Sequence, residues 1–401
     1  GEMSVQFNLD GIGIKEVVKD GVTYTVLDYK GVKTNDRGYA ELPKMSAAVQ
    51  LGDANDINIT SVEGDYEEIV LEHPLLPSRG TIYRNQDPST IPYEIDPKSV
   101  TDSWYPENKV FHSDPYVFRD VRGVNIYAYP VQYNAAKQTI RIYNSLTIRL
   151  GNDITKTTNP LKMKPDKTVS SMNGVYKSLF INYNEPKFTY QLAEFGEILV
   201  IYTSRDATVI QPYIEWKRQK GFKVTSTQVS TGTNVKTTIA NAYSSNPNIL
   251  YVQLVGDWPD IQCDLGPDSQ PTDPMLGCVI GTDLYPELII GRFSAGSTTD
   301  VTTQVNKTIV YEKNPDMSGT WYSKGIGIGS DEGAGDDGEY DYAHIDVIKE
   351  NKLLPYTYTE VAECYSSQVN SAITTNLNNG ASILNYCGHG ADDGIGWSSI
   401  I

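Results

Sequence analysis

The chain has 401 residues, with 50 acidic against 33 Lys and Arg side chains and a formal net charge of −17. That length points to roughly two or three domains with more than one packed core, and the acidity argues against nucleic acid or an anionic membrane surface as a partner, because phosphate binding needs clustered Lys and Arg. No run of about eighteen apolar residues is present, so no transmembrane span is expected; Gly1-Glu2-Met3 reads as a trimmed or engineered start, compatible with a removed export signal.

From Gly1 to about Thr158 the chain is rich in Tyr, Val, Ile and Thr in short alternating runs, among them Gly21–Leu27, Glu67–Glu72, Val124–Tyr129 and Thr139–Tyr143. Turn residues interrupt them at short intervals, the pattern of an all-β, sandwich-like domain. The stretch from Asn152 to Lys167 reads as an exposed connection. A second linker, Asn182–Tyr190, follows one short apolar segment.

From Gly196 onward the pattern changes to alternating strands and helices. Ile198–Tyr202 is a continuous apolar run, as expected of a strand buried on both faces of a parallel sheet. Helical spacing follows over Thr208–Lys220, with Gly221 as the stop. Further strands are predicted at Ile249–Val255, Leu288–Gly291, Gly325–Gly329 and Ile383–Tyr386. Further helices are predicted at Val235–Tyr243, Asp300–Glu312, Tyr342–Asn351 and Ser367–Asn378. This order defines a doubly wound α/β domain, in which ligands bind beyond the strand C-termini.

Those strand ends are where chemistry-bearing residues fall. His389 lies between two glycines at the exit of the last apolar strand, where the backbone can turn sharply and approach a substrate. A cysteine peptidase needs such a histidine to take and return a proton; a turn histidine without chemistry is the alternative. His73, His112 and His344 read as surface or structural. The acidic run Asp331–Asp341 follows another strand. A carboxylate there can orient an imidazole, and another can pair with a basic side chain, although a plain solvated loop has the same composition. Asp257 and the Asp283–Glu287 stretch form a second acidic constellation that suits Ca²⁺, which takes six to eight oxygens; ordinary loop acids are the alternative. Cys263, Cys278, Cys364 and Cys387 lack metal-site spacing and read as reduced or buried thiols, with a Cys263–Cys278 bridge left open.

Taken together, these residues resemble the gingipain family of cysteine endopeptidases, in proform, over nearly the whole chain. The matching segments are Ile214-Glu-Trp-Lys-Arg-Gln-Lys-Gly221, Leu254-Val-Gly-Asp257, Ile290-Gly-Arg-Phe293, the acidic loop from Asp331 and Asn385-Tyr-Cys-Gly-His-Gly390. In the β half they are Tyr83-Arg-Asn-Gln-Asp-Pro88 with Ile91-Pro-Tyr93, Asp114-Pro-Tyr-Val-Phe-Arg-Asp-Val-Arg-Gly123 and Gln132-Tyr-Asn134.

The resemblance implies a β-rich propeptide-like inhibitory domain with its linker over 1–187, followed over 188–401 by the N-terminal part of a caspase-like catalytic domain. It implies His389 as the catalytic histidine, Glu332 as its supporting acid and Asp341 as the carboxylate at the base of the S1 pocket. Asp257, Asp283, Glu287 and the Tyr285 carbonyl resemble a family calcium site. Arg84 matches the propeptide residue that enters the S1 pocket, and Lys187 stands at the activation cut. The implied protein is the zymogen, or an N-terminal fragment, of a secreted or cell-surface endopeptidase cleaving polypeptides after basic residues, Arg before Lys. The family's nucleophilic cysteine follows a further strand after the histidine, so it is expected beyond Ile401, on a possible C-terminal fragment, and the chain alone is expected to be inactive. A non-catalytic binding or inhibitory protein on a degenerate peptidase scaffold is the rival expectation.

Overall fold

The computed structural model describes residues 3–82, 86–166, 168–184, 195–266, 269–331, 339–365, 369–388, 390–391 and 394–395. Two compact units result. One comprises Gly1–Ser78 with Ile95–Asn314, the other Arg79–Glu94 with Pro315–Ile401.

In the first unit the alternating runs form antiparallel sheets. Ser145–Asp153 pairs with Met3–Asn8 on one side and Asp56–Glu63 on the other. Val121–Ala128 pairs with Met45–Gln50, Val110–His112 and Tyr116–Phe118. Along Met3–Asn8 the side chains of Val5 and Phe7 are buried while Ser4, Gln6 and Asn8 are exposed, the period of two that a one-sided strand imposes. Val5, Phe7, Ile148 and Leu150 thereby share a core with Val49, Val124 and Ile126 of the second sheet. Each such side chain contributes about 1.5–3 kcal/mol by leaving water. A third sheet, Val131–Asn134, Thr139–Tyr143 and Tyr66–Val70, closes a second core around Leu27, Leu42, Leu75 and Ile140. The sandwich-like β domain is therefore present.

Two departures from the expected connections appear after it. The stretch read as exposed is pinned to the sandwich by Arg122, which is 1% exposed. Its guanidinium donates to the carbonyls of Asn159 (2.9 Å), Asn55 (2.8 Å) and Gly52 (3.1 Å) and to the Asp56 carboxylate. The short apolar segment is a helix, Ser170–Leu179, that buries Met172 and Tyr176, four residues apart. Its serine-rich start and the interior Gly174 disguise the helical spacing.

In the same unit a parallel sheet runs in the order Lys223–Val229, Glu197–Thr203, Ile249–Val255, Ile289–Phe293. Ile198 and Val200 face Ile210, Tyr213 and Val301 from helices on one side, and Leu199 and Ile201 face Ile239 and Tyr243 of the helix on the other. Burial on both faces is why this run is apolar at every position. Lys223–Val229 escapes sequence detection because it is an edge strand, with Lys, Ser and Gln exposed.

The second unit holds a separate parallel sheet, with Lys324–Gly329 between Glu360–Cys364 and Ile383–Cys387. Among the described residues the main parallel strands of the α/β half thus fall into two separate sheets, one in each unit, where the pattern alone reads as one. Ile326, Ile328 and Cys364 form the core of the second.

Candidate active site

The glycines of the Lys324–Gly329 strand set the geometry at its end. A Cβ at Gly327 would stand 2.6 Å from Ile345 Cγ2, and one at Gly329 would stand 2.4 Å from Tyr342 Cα. Only glycine lets the helix Asp341–Ile348 lie this close to the strand. The Tyr342 amide donates to the Ser330 carbonyl at 3.3 Å, which ties the start of the helix to the strand exit. Asp341 occupies the first helical turn, where the helix dipole favours a negative charge. Its Oδ1 accepts a hydrogen bond from Cys387 Sγ at 3.4 Å. Cys387 lies opposite Gly329 in the neighbouring strand. Asp341 and the strand leading to His389 therefore converge at one sheet end. Tyr342 stacks on Tyr365 with centroids 5.6 Å apart, and the Tyr365 hydroxyl donates to Asp346 at 2.8 Å. Burial and then Asp346 push the Tyr365 phenol well above its ordinary value, so it acts as a donor at every physiological pH.

His389, Glu332, Arg84 and Lys187 lie outside the described residues. The segment Arg79–Glu94, which flanks Arg84, belongs to the same compact unit as the sheet end just described. Within that segment Arg79 donates to the Pro88 carbonyl at 2.6 Å and covers the Tyr93 ring at 4.5 Å. Of the other histidines, His112 Nδ1 lies 2.8 Å from the Ser113 carbonyl, His73 pairs with Glu16 at 3.7 Å and His344 with Glu339 at 3.7 Å.

The acids anticipated for calcium lie in the first unit. Glu287 is 1% exposed. Its Oε2 accepts from the amides of Val279 (2.8 Å) and Ile280 (3.1 Å), while its Oε1 is buried without a hydrogen-bond partner. Burial raises its proton affinity to about 7. Asp283 accepts from the Tyr285 amide at 3.0 Å. Asp257 accepts from the Trp258 amide (2.8 Å) and Ser294 Oγ (2.9 Å). The three carboxylates do not gather within 4.8 Å of one another; among the described residues the group that does is Glu16, Glu72 and His73. An unsatisfied buried carboxylate oxygen nevertheless fits a cation ligand at Glu287.

All four cysteines are free, so the Cys263–Cys278 bridge is not formed. Burial pushes the Cys263, Cys278 and Cys364 thiols up, with Asp273 adding to the effect at Cys263. None of these three is poised as a thiolate.

One functional feature escapes sequence reasoning. Phe118 pairs with Val121 across a two-residue hairpin whose first turn residue, Arg119, has φ +56° and is 3% exposed. Its guanidinium donates to the carbonyls of Glu287 (2.7 Å), Ile249 (3.0 Å) and Pro247 (3.3 Å). Tyr116 stacks on Tyr285 at 4.0 Å, and burial, then Tyr285, push the Tyr116 phenol up to about 12. The available signal was the segment Asp114–Gly123, whose Arg-Asp tip stands between two apolar runs.

Along the chain, antiparallel sheets come first and parallel sheets follow. Residues 192–400 match the model of peptidase family C25 and residues 1–189 match the Propeptide_C25 model. The chain belongs to peptidase family C25, the cysteine peptidases that include the gingipains, in the order of a proform. Gingipain R2 of Porphyromonas gingivalis (strain ATCC 33277) is 31% identical over 409 residues, covering 98% of this chain and 55% of its own length. Gingipain R1 of Porphyromonas gingivalis is 32% identical over 410 residues, covering 98% and 40%. This chain thus spans about half, or less, of the relatives it matches. The crystal structure of the Arg-specific cysteine proteinase gingipain R matches at 31% identity and a TM-score of 0.46, over 53% of this chain and 51% of that one. No helix among the described residues is long and apolar enough to cross a membrane.

Proposed function

We propose that this protein is the zymogen of a secreted cysteine endopeptidase that cleaves polypeptides after basic residues, Arg before Lys. The observation that supports it most directly is the Asp341 carboxylate on a helix start, 3.4 Å from Cys387, two residues before His389. A carboxylate at a strand end can pair in a bidentate manner with the guanidinium of a substrate arginine. His389 would take the proton of the attacking thiol and return it to the leaving amine, with Glu332 holding the imidazole in orientation. The carbonyl carbon meanwhile passes from nitrogen to sulfur and then to water. The nucleophile is assigned to none of the four cysteines: three are buried or raised, and Cys387 is engaged with Asp341.

Latency would come from Arg84, whose side chain mimics the substrate's and so competes for Asp341. Cleavage at Lys187 would divide the inhibitory region, 1–187, from the peptidase region that starts at 188. Calcium would be held by Glu287, Asp283 and the Tyr285 carbonyl; Asp257, bonded to Trp258 and Ser294 beyond the other end of the sheet, is left out of this set. The ion would brace the loop that precedes the Ile289–Phe293 strand.

The test uses the protein expressed from its whole reading frame. Asp341→Asn is expected to lower kcat/KM for peptides with Arg before the scissile bond by roughly a hundredfold. Arg84→Ala is expected to give an uncut proform that already cleaves them. Unchanged Arg turnover in Asp341→Asn would end the specificity assignment, and an Arg84→Ala proform as latent as wild type would end the inhibitory one.

A further inference from the structure

We propose that Arg119 is the anchor that holds the propeptide region on the peptidase region, through a main-chain lock at the N-terminal edge of the first parallel sheet. Pro247 and Ile249 stand at the start of the Ile249–Val255 strand, and Glu287 stands just before Ile289–Phe293, its parallel neighbour. The three carbonyls that receive the guanidinium thus lie at the strand starts, the opposite end from the C-termini where ligands bind in such sheets.

The chemistry favours a strong, dry contact. Arginine carries five N–H donors and no acceptor, and a charged donor forms a stronger hydrogen bond than a neutral one. A guanidinium excluded from water is tolerated only where its donors are met. Here carbonyls of the peptidase region meet it, so withdrawal of the hairpin leaves those carbonyls bare at the same moment. An apolar collar seals the contact: Tyr116 lies on Tyr285, and Val121, Val169 and Tyr176 pack with Leu250. Arg119 itself sits at a left-handed position that favours glycine. A glycine there would relax the turn and lose the lock.

The neighbouring residue extends the anchor toward the activation segment. The Asp120 carboxylate accepts from Thr168 Oγ1 at 2.6 Å and from the Tyr176 hydroxyl. The hairpin tip is thereby tied to the Ser170–Leu179 helix, on the propeptide side of Lys187. A cut after that helix leaves every bond of the lock intact, so Arg119 sets how long the two regions remain together. The inference goes beyond the proposed activity, since the contact acts whether or not the peptidase turns over.

The test uses the full chain with a specific protease recognition sequence placed over residues 186–191. After complete cutting, dilution followed by size-exclusion chromatography and native mass spectrometry reads the rate at which the two pieces part. The nicked wild type is expected to remain one particle. Arg119→Ala is expected to separate roughly a hundredfold faster, and Arg119→Lys, which keeps the charge but offers a point donor in place of the fork, by an intermediate factor. Uncut variants checked by circular dichroism establish that they fold; if Arg119→Ala does not, Arg119→Lys decides alone. Separation at the wild-type rate, or a nicked wild type that falls apart immediately on dilution, overturns the proposal. The readout is association, and the ratio of variant to wild-type separation rates isolates Arg119 whichever assignment holds for Arg84, Asp341 or the reaction.

Discussion

Gly329→Ala is the most direct challenge to the way the strand end positions Asp341. The added methyl would lie 2.4 Å from Tyr342 Cα, 2.6 Å from Tyr342 N and 2.9 Å from Asp341 C. Non-bonded carbons rest about 3.5–4.0 Å apart, so the start of the helix must retreat by roughly 1 Å. All three atoms are backbone, and no rotamer change relieves the clash. Overpacking of this kind costs about 1–3 kcal/mol, offset by about 0.4–1 kcal/mol from the less flexible unfolded chain. The larger consequence is functional, because a displacement of about 1 Å at a positioning element can cost roughly a hundredfold in rate. Gly325→Ala in the same strand is the control: its methyl meets only side-chain atoms, Ile383 Cγ2 at 3.0 Å and Val361 Cγ2 at 3.4 Å. The assays are the urea midpoint and kcat/KM on an Arg peptide, both in the protein expressed from its whole reading frame. Gly329→Ala should lose far more activity than Gly325→Ala at a comparable loss of stability. Equal activity in the two variants would refute the argument that this glycine sets the place of Asp341.

Two further predictions follow from buried carboxylates. Burial alone would raise the Asp56 carboxyl, but hydrogen bonds from Thr158 and Arg122 outweigh it and hold the group below its usual range. Its contribution is therefore present above the unfolded value of about 4 and is lost as pH falls through the lower folded value. Asp56→Asn should cost about 3–5 kcal/mol at neutral pH, by leaving Arg122 buried without its counter-charge, and should flatten the acid limb of stability against pH; an unchanged acid limb would be contrary evidence. For calcium, the thermal midpoint should rise on titration of the ion into chelator-treated protein, and Glu287→Gln should abolish that rise. A midpoint indifferent to calcium in the wild type would remove the ion from the proposal.

The local chemistry of the chain was open to reading from the residues alone wherever burial imposes a period. Strands with one wet face alternate, as along Met3–Asn8; strands covered on both faces are apolar throughout, as in Ile249–Val255. These two patterns determined the β-then-α/β order, and the motif segments determined the family. Strands and helices that hide their period were lost: the polar edge strand Lys223–Val229, the strand Glu360–Cys364 and the glycine-containing helix Ser170–Leu179.

What only tertiary structure decided is which distant residues meet. Two parallel sheets and one give the same alternation of elements, so their assignment to separate units depended on contacts. Cys387 and Asp341 are 46 residues apart in the chain and touch because two strands align in register. Arg119 reaches the Glu287 carbonyl across 168 residues. Every residue carries a carbonyl, so an arginine that binds main chain leaves no complementary side chain for a sequence to display. Its partner is chosen by the backbone path, and that path exists only once the chain has folded.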